Sequence, residues 1–141
     1  MLSRRELLRS SLTLMGLVLL GGCRRGEDLG SPMLSFHHGE AHCGVGLDDA
    51  RVQAEAKGIR FSGQMTTPDP CHRLEAVLEV KNSELIVHIS AVSEKAPDRV
   101  CIQCLGQVPY TGEIVNVRPG QYTVKIYHDK REIKSAPVTI L

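Results

Sequence analysis

Residues 47–141 of this 141-residue chain are predicted to fold as an antiparallel β-sandwich. Apolar and polar side chains alternate with a period of two through most of this stretch, which is typical of strands with one buried face. Turn-forming residues recur at intervals of roughly ten residues, and no stretch as long as an average helix has helical periodicity. A small β-barrel would give the same pattern and is the alternative.

The first predicted strands form a hairpin. Alternation runs through residues 52–56, reverses at Lys57-Gly58 and resumes through residues 59–65. The following Thr66-Thr67-Pro68-Asp69-Pro70 has turn chemistry, because each Pro fixes its own φ and disfavours helix in the residue before it. The chain is therefore expected to change direction before the next strand.

A second hairpin has the clearest alternation in the chain. Apolar and charged residues alternate through residues 74–80, and Asn82-Ser83 turns the chain into a matching run at residues 85–91. The chain then has four more β-rich runs, at residues 100–108, 114–117, 122–126 and 133–141. In the last of them Pro137 lacks an N–H, so it predicts an edge strand or a bulge.

One short segment supports the same fold by resemblance. Pro119-Gly120-Gln121-Tyr122-Thr123-Val124 resembles the Pro-Gly-x-Tyr-x-Val strand start of immunoglobulin-like sandwich domains, whose tyrosine often packs at a corner of the sandwich. The resemblance covers these residues alone. It implies an immunoglobulin-like β-sandwich and carries no active site with it.

Residues 1–22 have the three regions of an export signal. A positive end containing Arg4 and Arg5 precedes an apolar run from Leu12 to Leu20, and small residues follow. At ~1.5 Å per residue this run reaches ~14 Å, about half of a ~30 Å hydrocarbon core. A cleaved signal peptide is therefore favoured over a membrane span.

Two motifs within this signal specify the route and the anchor. Leu20-Gly21-Gly22-Cys23 resembles the lipobox of prokaryotic lipoproteins, in which the cysteine receives a diacylglyceryl group and becomes the first mature residue. Ser3-Arg4-Arg5-Glu6-Leu7-Leu8 resembles the twin-arginine export motif, with Leu7 where the usual motif has Phe. The resemblance implies that two acyl chains on Cys23 hold the mature chain on the cell membrane or the outer membrane, facing the periplasm or the exterior.

Residues 23–46 are predicted to hold the lipidated cysteine, a flexible tether and a histidine-rich segment. Residues 24–33 contain mainly Gly, Ser, Pro and charged residues, and such a stretch buries too little apolar surface to offset its lost backbone entropy. His37, His38 and His42 follow, next to Cys43. Imidazole and thiol groups suit copper or zinc, so these histidines are a candidate metal site.

Four cysteines remain once Cys23 is assigned to the lipid: Cys43, Cys71, Cys101 and Cys104. Outside the cytoplasm they are predicted to form two disulfides. If residues 100–108 form a regular strand, Cys101 and Cys104 point to opposite faces and cannot bond to each other without a bend. We therefore favour Cys71 with either Cys101 or Cys104, and Cys43 with the other; Cys101–Cys104 with Cys43–Cys71, or free or metal-bound thiols, are the alternatives.

The functional prediction is a non-catalytic binding or accessory module with no cofactor. With 17 Lys+Arg against 16 Asp+Glu, the chain lacks the basic excess typical of a nucleic-acid binder, and it has none of the common catalytic motifs. Its expected partners are the membrane, through the lipid, and an unknown envelope protein. The alternatives are an extracytoplasmic copper or zinc protein and a thiol oxidoreductase using the C-x-x-C spacing of Cys101 and Cys104.

Overall fold

The computed structural model describes residues 30–94 and 100–141. The predicted signal peptide with Arg4 and Arg5, and the predicted lipidation site Cys23, lie outside the described residues. Within the described part the chain forms nine strands: β1 (Met33–His38), β2 (His42–Cys43), β3 (Asp49–Glu55), β4 (Gly58–Thr67), β5 (His72–Lys81), β6 (Glu84–Ser93), β7 (Gly106–Val115), β8 (Gly120–His128) and β9 (Arg131–Ile140). No helix found there is long and apolar enough to cross a membrane.

The strands form two sheets that pack face to face. The first sheet has the order β1-β7-β4-β3, with β2 also paired to β7, and all its pairs are antiparallel. The second sheet has the order β5-β6-β8-β9. The prediction of a β-sandwich is confirmed, and the described strands do not close into a barrel.

One pair departs from the antiparallel prediction, since β6 and β8 run parallel. After β6 the chain leaves the second sheet, adds β7 to the first sheet and then returns. Because β7 lies in the other sheet, β8 enters beside β6 in the same direction, which a tight hairpin could not achieve.

The sandwich has two distinct ends. Strand β7 begins at Gly106, paired with Cys43 and Thr67, and ends at Val115, paired with Met33. We call the first end, with the loops 44–48, 68–71, 100–105 and 129–130, the disulfide end. The opposite end, where β1 begins and β9 finishes, we call the terminal end; a ten-residue strand such as β7 separates the two by about 33 Å.

Three aromatic rings of the first sheet form part of the core, next to Gly112 on β7. Phe36 on β1 and Phe61 on β4 are both paired with Gly112 on β7, and their ring centroids lie 6.4 Å apart. Tyr110 is the third ring of this group. Because Gly112 has no side chain, the Phe61 ring fills the space above it. Aliphatic residues supply most of the remaining core: Ile59, Met65, Leu74, Leu85, Val87, Ile89, Val108, Ile114, Val124, Ile126, Val138 and Ile140.

Several predicted boundaries differ from the observed strands. Residues 100–105 are not a strand, and the runs predicted at 100–108 and 114–117 contribute instead to one strand, β7, which Asn116 ends with a φ of 62°. The sandwich also includes β1 and β2, which lie before the predicted boundary at residue 47. Pro137 lies on β9, an edge strand, as predicted.

We expect Gly112→Ala to destabilise the fold by about 1–3 kcal/mol, the usual cost of overpacking a core. A Cβ at this position would fall inside contact distance of the Phe61 ring, which is only 1% exposed and has no room to move. Urea denaturation followed by circular dichroism measures the effect. Thr111→Ala, on the exposed face of the same strand, is the matched control; equal stability of the two variants would contradict the packing described here.

Candidate functional site: the loops at the disulfide end

Both disulfides lie at one end of the sandwich and share the 100–105 loop. Cys43 is bonded to Cys104, with Cα atoms 5.7 Å apart, and Cys71 is bonded to Cys101, with Cα atoms 6.1 Å apart. This is one of the two pairings favoured from the sequence. The assumed strand was wrong, however: the Cys104 N–H donates to the Ile102 carbonyl at 3.1 Å, so the segment turns tightly.

The consequence is a loop attached to both sheets. Cys43 belongs to β2 in the first sheet, whereas Cys71 immediately precedes β5 in the second. The cysteines at 101 and 104 therefore connect the 100–105 loop to the two layers separately. Its backbone has little freedom to move away from the sandwich.

The neighbouring 44–48 loop is held by a buried glutamine on β7. Gln107, only 4% exposed, donates from Nε2 to the Leu47 carbonyl at 2.6 Å and accepts from the Val45 N–H at 3.2 Å. The Gly44 N–H donates to the Leu105 carbonyl at 3.1 Å, which joins this loop directly to the 100–105 loop. The two loops thus form one fixed unit.

This unit carries apolar side chains into solvent. Val45, Leu47, Ile102 and Leu105, which we call the apolar cluster, are 76%, 61%, 68% and 48% exposed. Their loops adjoin, since a Cβ on Gly46 would lie 3.3 Å from Leu105 Cδ1. Exposed apolar residues on adjoining loops with a fixed backbone are a candidate interaction surface.

A buried polar network lies beneath the same loops. Asp48, which ends the 44–48 loop, has Oδ2 2.8 Å from His128 Nδ1, and the other ring nitrogen lies 2.7 Å from Tyr110 Oη. The side chains of His128 and Asp48 are only 2% and 9% exposed. The His128 ring therefore lies between the Asp48 carboxylate and the Tyr110 hydroxyl, so the network connects the first sheet to the second.

The charges of this network are set by its surroundings. Burial raises the pKa of Asp48, but hydrogen bonds from Thr66 and His128 outweigh this effect and hold the pKa below its usual value of 3.8. Burial, with the nearby Asp49 and Asp48 carboxylates, raises the pKa of the Tyr110 hydroxyl far above its usual range. At neutral pH the network therefore contains an ionised Asp48 and a protonated Tyr110.

The groups of this network are engaged with one another and largely buried. Both ring nitrogens of His128 are engaged, and Tyr110 is only 2% exposed. A general acid or base must reach its substrate within hydrogen-bond distance. We therefore assign the network to holding the sheets and the 44–48 loop together.

The structure does not gather the histidines of the predicted copper or zinc site. His37 and His38 are adjacent on β1, so their side chains leave opposite faces of the strand, and His42 is exposed on β2. The sulfur of Cys43 is occupied by its disulfide. In residues 30–94 and 100–141 the only cluster of three or more close ligand atoms is at Asp69, Cys71 and Cys101.

The C-x-x-C spacing does not form an oxidoreductase motif in the described residues. Cys101 and Cys104 are bonded to different partners instead of each other, and no helix begins beside them. A helix N-terminus is one of the features that lower the thiol pKa in such enzymes. Both cysteines serve here as attachment points for the loop.

Sequence reasoning missed the buried network. No motif in the sequence marks Asp48 or His128 as members of a network, yet His128 is buried in the structure. The alternation of apolar and polar residues does indicate that His128 is buried, because His128 follows Val124 and Ile126 on the same face of β8. For Asp48 no local signal existed, since its partner is eighty positions away.

Comparisons with protein-family models, with curated proteins and with solved structures find no match to this chain. The known activity or partner of another protein therefore cannot be carried over. Functional information comes from the residues and geometry of the disulfide end.

We expect Asp48→Asn to lower the free energy of unfolding by about 1–3 kcal/mol at neutral pH, because the His128 ring loses its ionised partner. Since folding lowers the pKa of Asp48 below 3.8, its contribution is full above about pH 5 and is lost as the pH falls through the folded-state pKa. The difference between wild type and variant should therefore shrink in acid. Denaturation curves from pH 7 to about pH 2.5 measure it.

An exposed acid provides the control for this series. Glu40→Gln removes a carboxyl group from the surface near the same end, so its effect should stay small at every pH. A stability difference for Asp48→Asn that is constant across the pH range would contradict an ionised Asp48 as the partner of His128.

Proposed function

We propose that the mature chain is a membrane-anchored extracytoplasmic lipoprotein, and that its sandwich is a non-catalytic module that binds an envelope protein. The observation that carries this proposal is the apolar cluster of Val45, Leu47, Ile102 and Leu105, exposed on loops whose backbone is fixed. The two disulfides are consistent with an oxidising compartment.

The fixed loops favour binding on energetic grounds. Fully burying one Val, Leu or Ile side chain contributes about 1.5–3 kcal/mol, so four of them could supply much of the affinity of a moderate complex. Ordering a flexible loop on binding would consume part of this gain. Here the disulfides and Gln107 have already ordered both loops before a partner arrives.

The position of the tether suits the same role. Strand β1 begins at Met33 in the terminal end, and the proposed anchor at Cys23 precedes it in the chain. The apolar cluster lies at the opposite end, about 33 Å away along the strands. The chain that leads to the proposed anchor therefore joins the domain at the end away from the apolar cluster.

The anchor is tested by Cys23→Ser, which removes the acceptor of the diacylglyceryl group. We expect the exported variant to appear in the soluble envelope fraction, because a near-neutral chain has little electrostatic attraction to lipid head groups. Cell fractionation with immunoblotting, together with mass spectrometry of the mature N-terminus, provides the measurement. Firm membrane association of Cys23→Ser would contradict the lipoprotein assignment.

The binding surface is tested by site-specific photo-crosslinking in intact cells. A photoreactive residue at position 45 should give a discrete adduct, and Leu47→Ser with Ile102→Ser should reduce its yield at least tenfold, which corresponds to about 1.4 kcal/mol. Position 77 on β5 is the matched control, because Val77 is equally apolar and 63% exposed but lies outside the apolar cluster. An adduct formed equally well from position 77 would contradict the proposal.

A further inference from the structure

We propose that the Cys71–Cys101 disulfide is also a latent metal site, which binds one Zn²⁺ through two thiolates and the Asp69 carboxylate when the disulfide is reduced. The proposal does not need the apolar cluster, but it rests on the proposed extracytoplasmic location, because proteins there supply the reductant. It rests on the three ligand atoms of Asp69, Cys71 and Cys101, which all lie within 4.8 Å of one another.

The donor set matches the chemistry of zinc. Zn²⁺ takes thiolate and carboxylate ligands in tetrahedral geometry, and three protein ligands leave the fourth position to water. With Zn–S bonds of about 2.3 Å, two sulfurs on one tetrahedral ion lie about 3.8 Å apart. The Cα atoms of Cys71 and Cys101 are 6.1 Å apart, so rotation of the side chains provides the needed separation without a large backbone movement.

The carboxylate is already positioned for this role. Asp69 Oδ1 accepts from the Cys71 N–H at 2.9 Å and lies 3.0 Å from His72 Nδ1. Both side chains are largely buried, with exposures of 14% for Asp69 and 13% for His72. Hydrogen bonds of this kind orient metal ligands in established sites.

The turn that carries Asp69 is fixed as well. The Thr67 hydroxyl donates to the Asp69 carbonyl at 2.7 Å, and Thr67 is only 1% exposed. At the other side of Cys71, its carbonyl accepts from the Glu94 N–H at 2.8 Å. These contacts do not involve either sulfur, so opening the disulfide does not remove them directly.

The chemistry balances with a dithiol as the reductant. A dithiol of the envelope's thiol–disulfide exchange proteins gives two electrons and two protons to Cys71–Cys101, and itself becomes a disulfide. The two new thiols then lose their protons to solvent as Zn²⁺ forms two Zn–S bonds. The metal would replace the covalent link between the 100–105 loop and the start of β5.

The second disulfide provides an internal comparison. In the described part of the chain no third ligand accompanies Cys43 and Cys104, and Cys43 is exposed whereas Cys71 and Cys101 are partly buried. The two bonds close chain segments of 61 and 30 residues, so both stabilise the fold. Of the two disulfides in the described residues, only Cys71–Cys101 belongs to such a three-ligand group.

The test uses the lipidated protein in detergent with Cys43→Ser and Cys104→Ser, reduced by a phosphine because dithiols bind zinc themselves. Titration with Co²⁺ should give one equivalent with thiolate-to-cobalt charge-transfer absorption, displaced by Zn²⁺. Asp69→Asn in the same background should weaken binding at least tenfold. The matched control, Cys71→Ser with Cys101→Ser, reduced in the same way, should bind no stoichiometric metal.

Three outcomes would overturn the proposal. The first is equal metal binding by the matched control, and the second is no metal binding by the variant that keeps Cys71 and Cys101. The third is an unchanged metal affinity after Asp69→Asn. Circular dichroism accompanies each titration. If the reduced protein loses its β-sheet signal, Zn²⁺ should restore that signal; binding without recovery would also count against a site formed by this fold.

Discussion

The structure depends on one constraint: two cysteines only three positions apart, Cys101 and Cys104, are bonded to different sheets. A core with only two Phe and three Tyr in the whole chain offers limited aromatic burial. In the chain-entropy model, closing loops of these lengths contributes roughly 4 kcal/mol for each disulfide. The same bonds place the 100–105 loop against the 44–48 loop. The two disulfides therefore both stabilise the fold and determine the shape of the disulfide end.

The 44–48 loop has side chains both in the protein interior and in solvent. Its last residue, Asp48, points inward and supplies a charge to the buried His128, while Val45 and Leu47 point outward and remain exposed. Gln107 fixes the backbone between them. Because these contacts are shared, loss of the Asp48 charge in acid should loosen the loop that carries half of the apolar cluster. The proposed binding at this surface should therefore be coupled to the ionisation of a buried group.

Local alternation predicted the parts of the fold that depend on neighbouring residues. The two hairpins β3–β4 and β5–β6 were predicted because apolar and polar residues alternate on either side of a turn. The parallel pairing of β6 with β8 was missed, since it depends on where β7 is placed in the other sheet. Val100 and Ile102 look like strand residues in the sequence, yet they are exposed in a loop. Their exposure is decided by the disulfides, whose partners lie tens of residues away.

The two disulfides differ strongly in their surroundings, but they differ little in the stability that they contribute by closing a chain segment. Segments of 61 and 30 residues differ in closure entropy by only about 0.6 kcal/mol, because the dependence on length is logarithmic. Cys43–Cys104 lies beside the exposed apolar cluster, and its loss would remove one of the contacts that hold the proposed binding loops. Cys71–Cys101 lies beside Asp69 and His72, where polar groups are already oriented. Reduction of Cys43–Cys104 should therefore reduce the order of the adjoining loops. Reduction of Cys71–Cys101 should instead produce two thiols that can bind a metal beside Asp69.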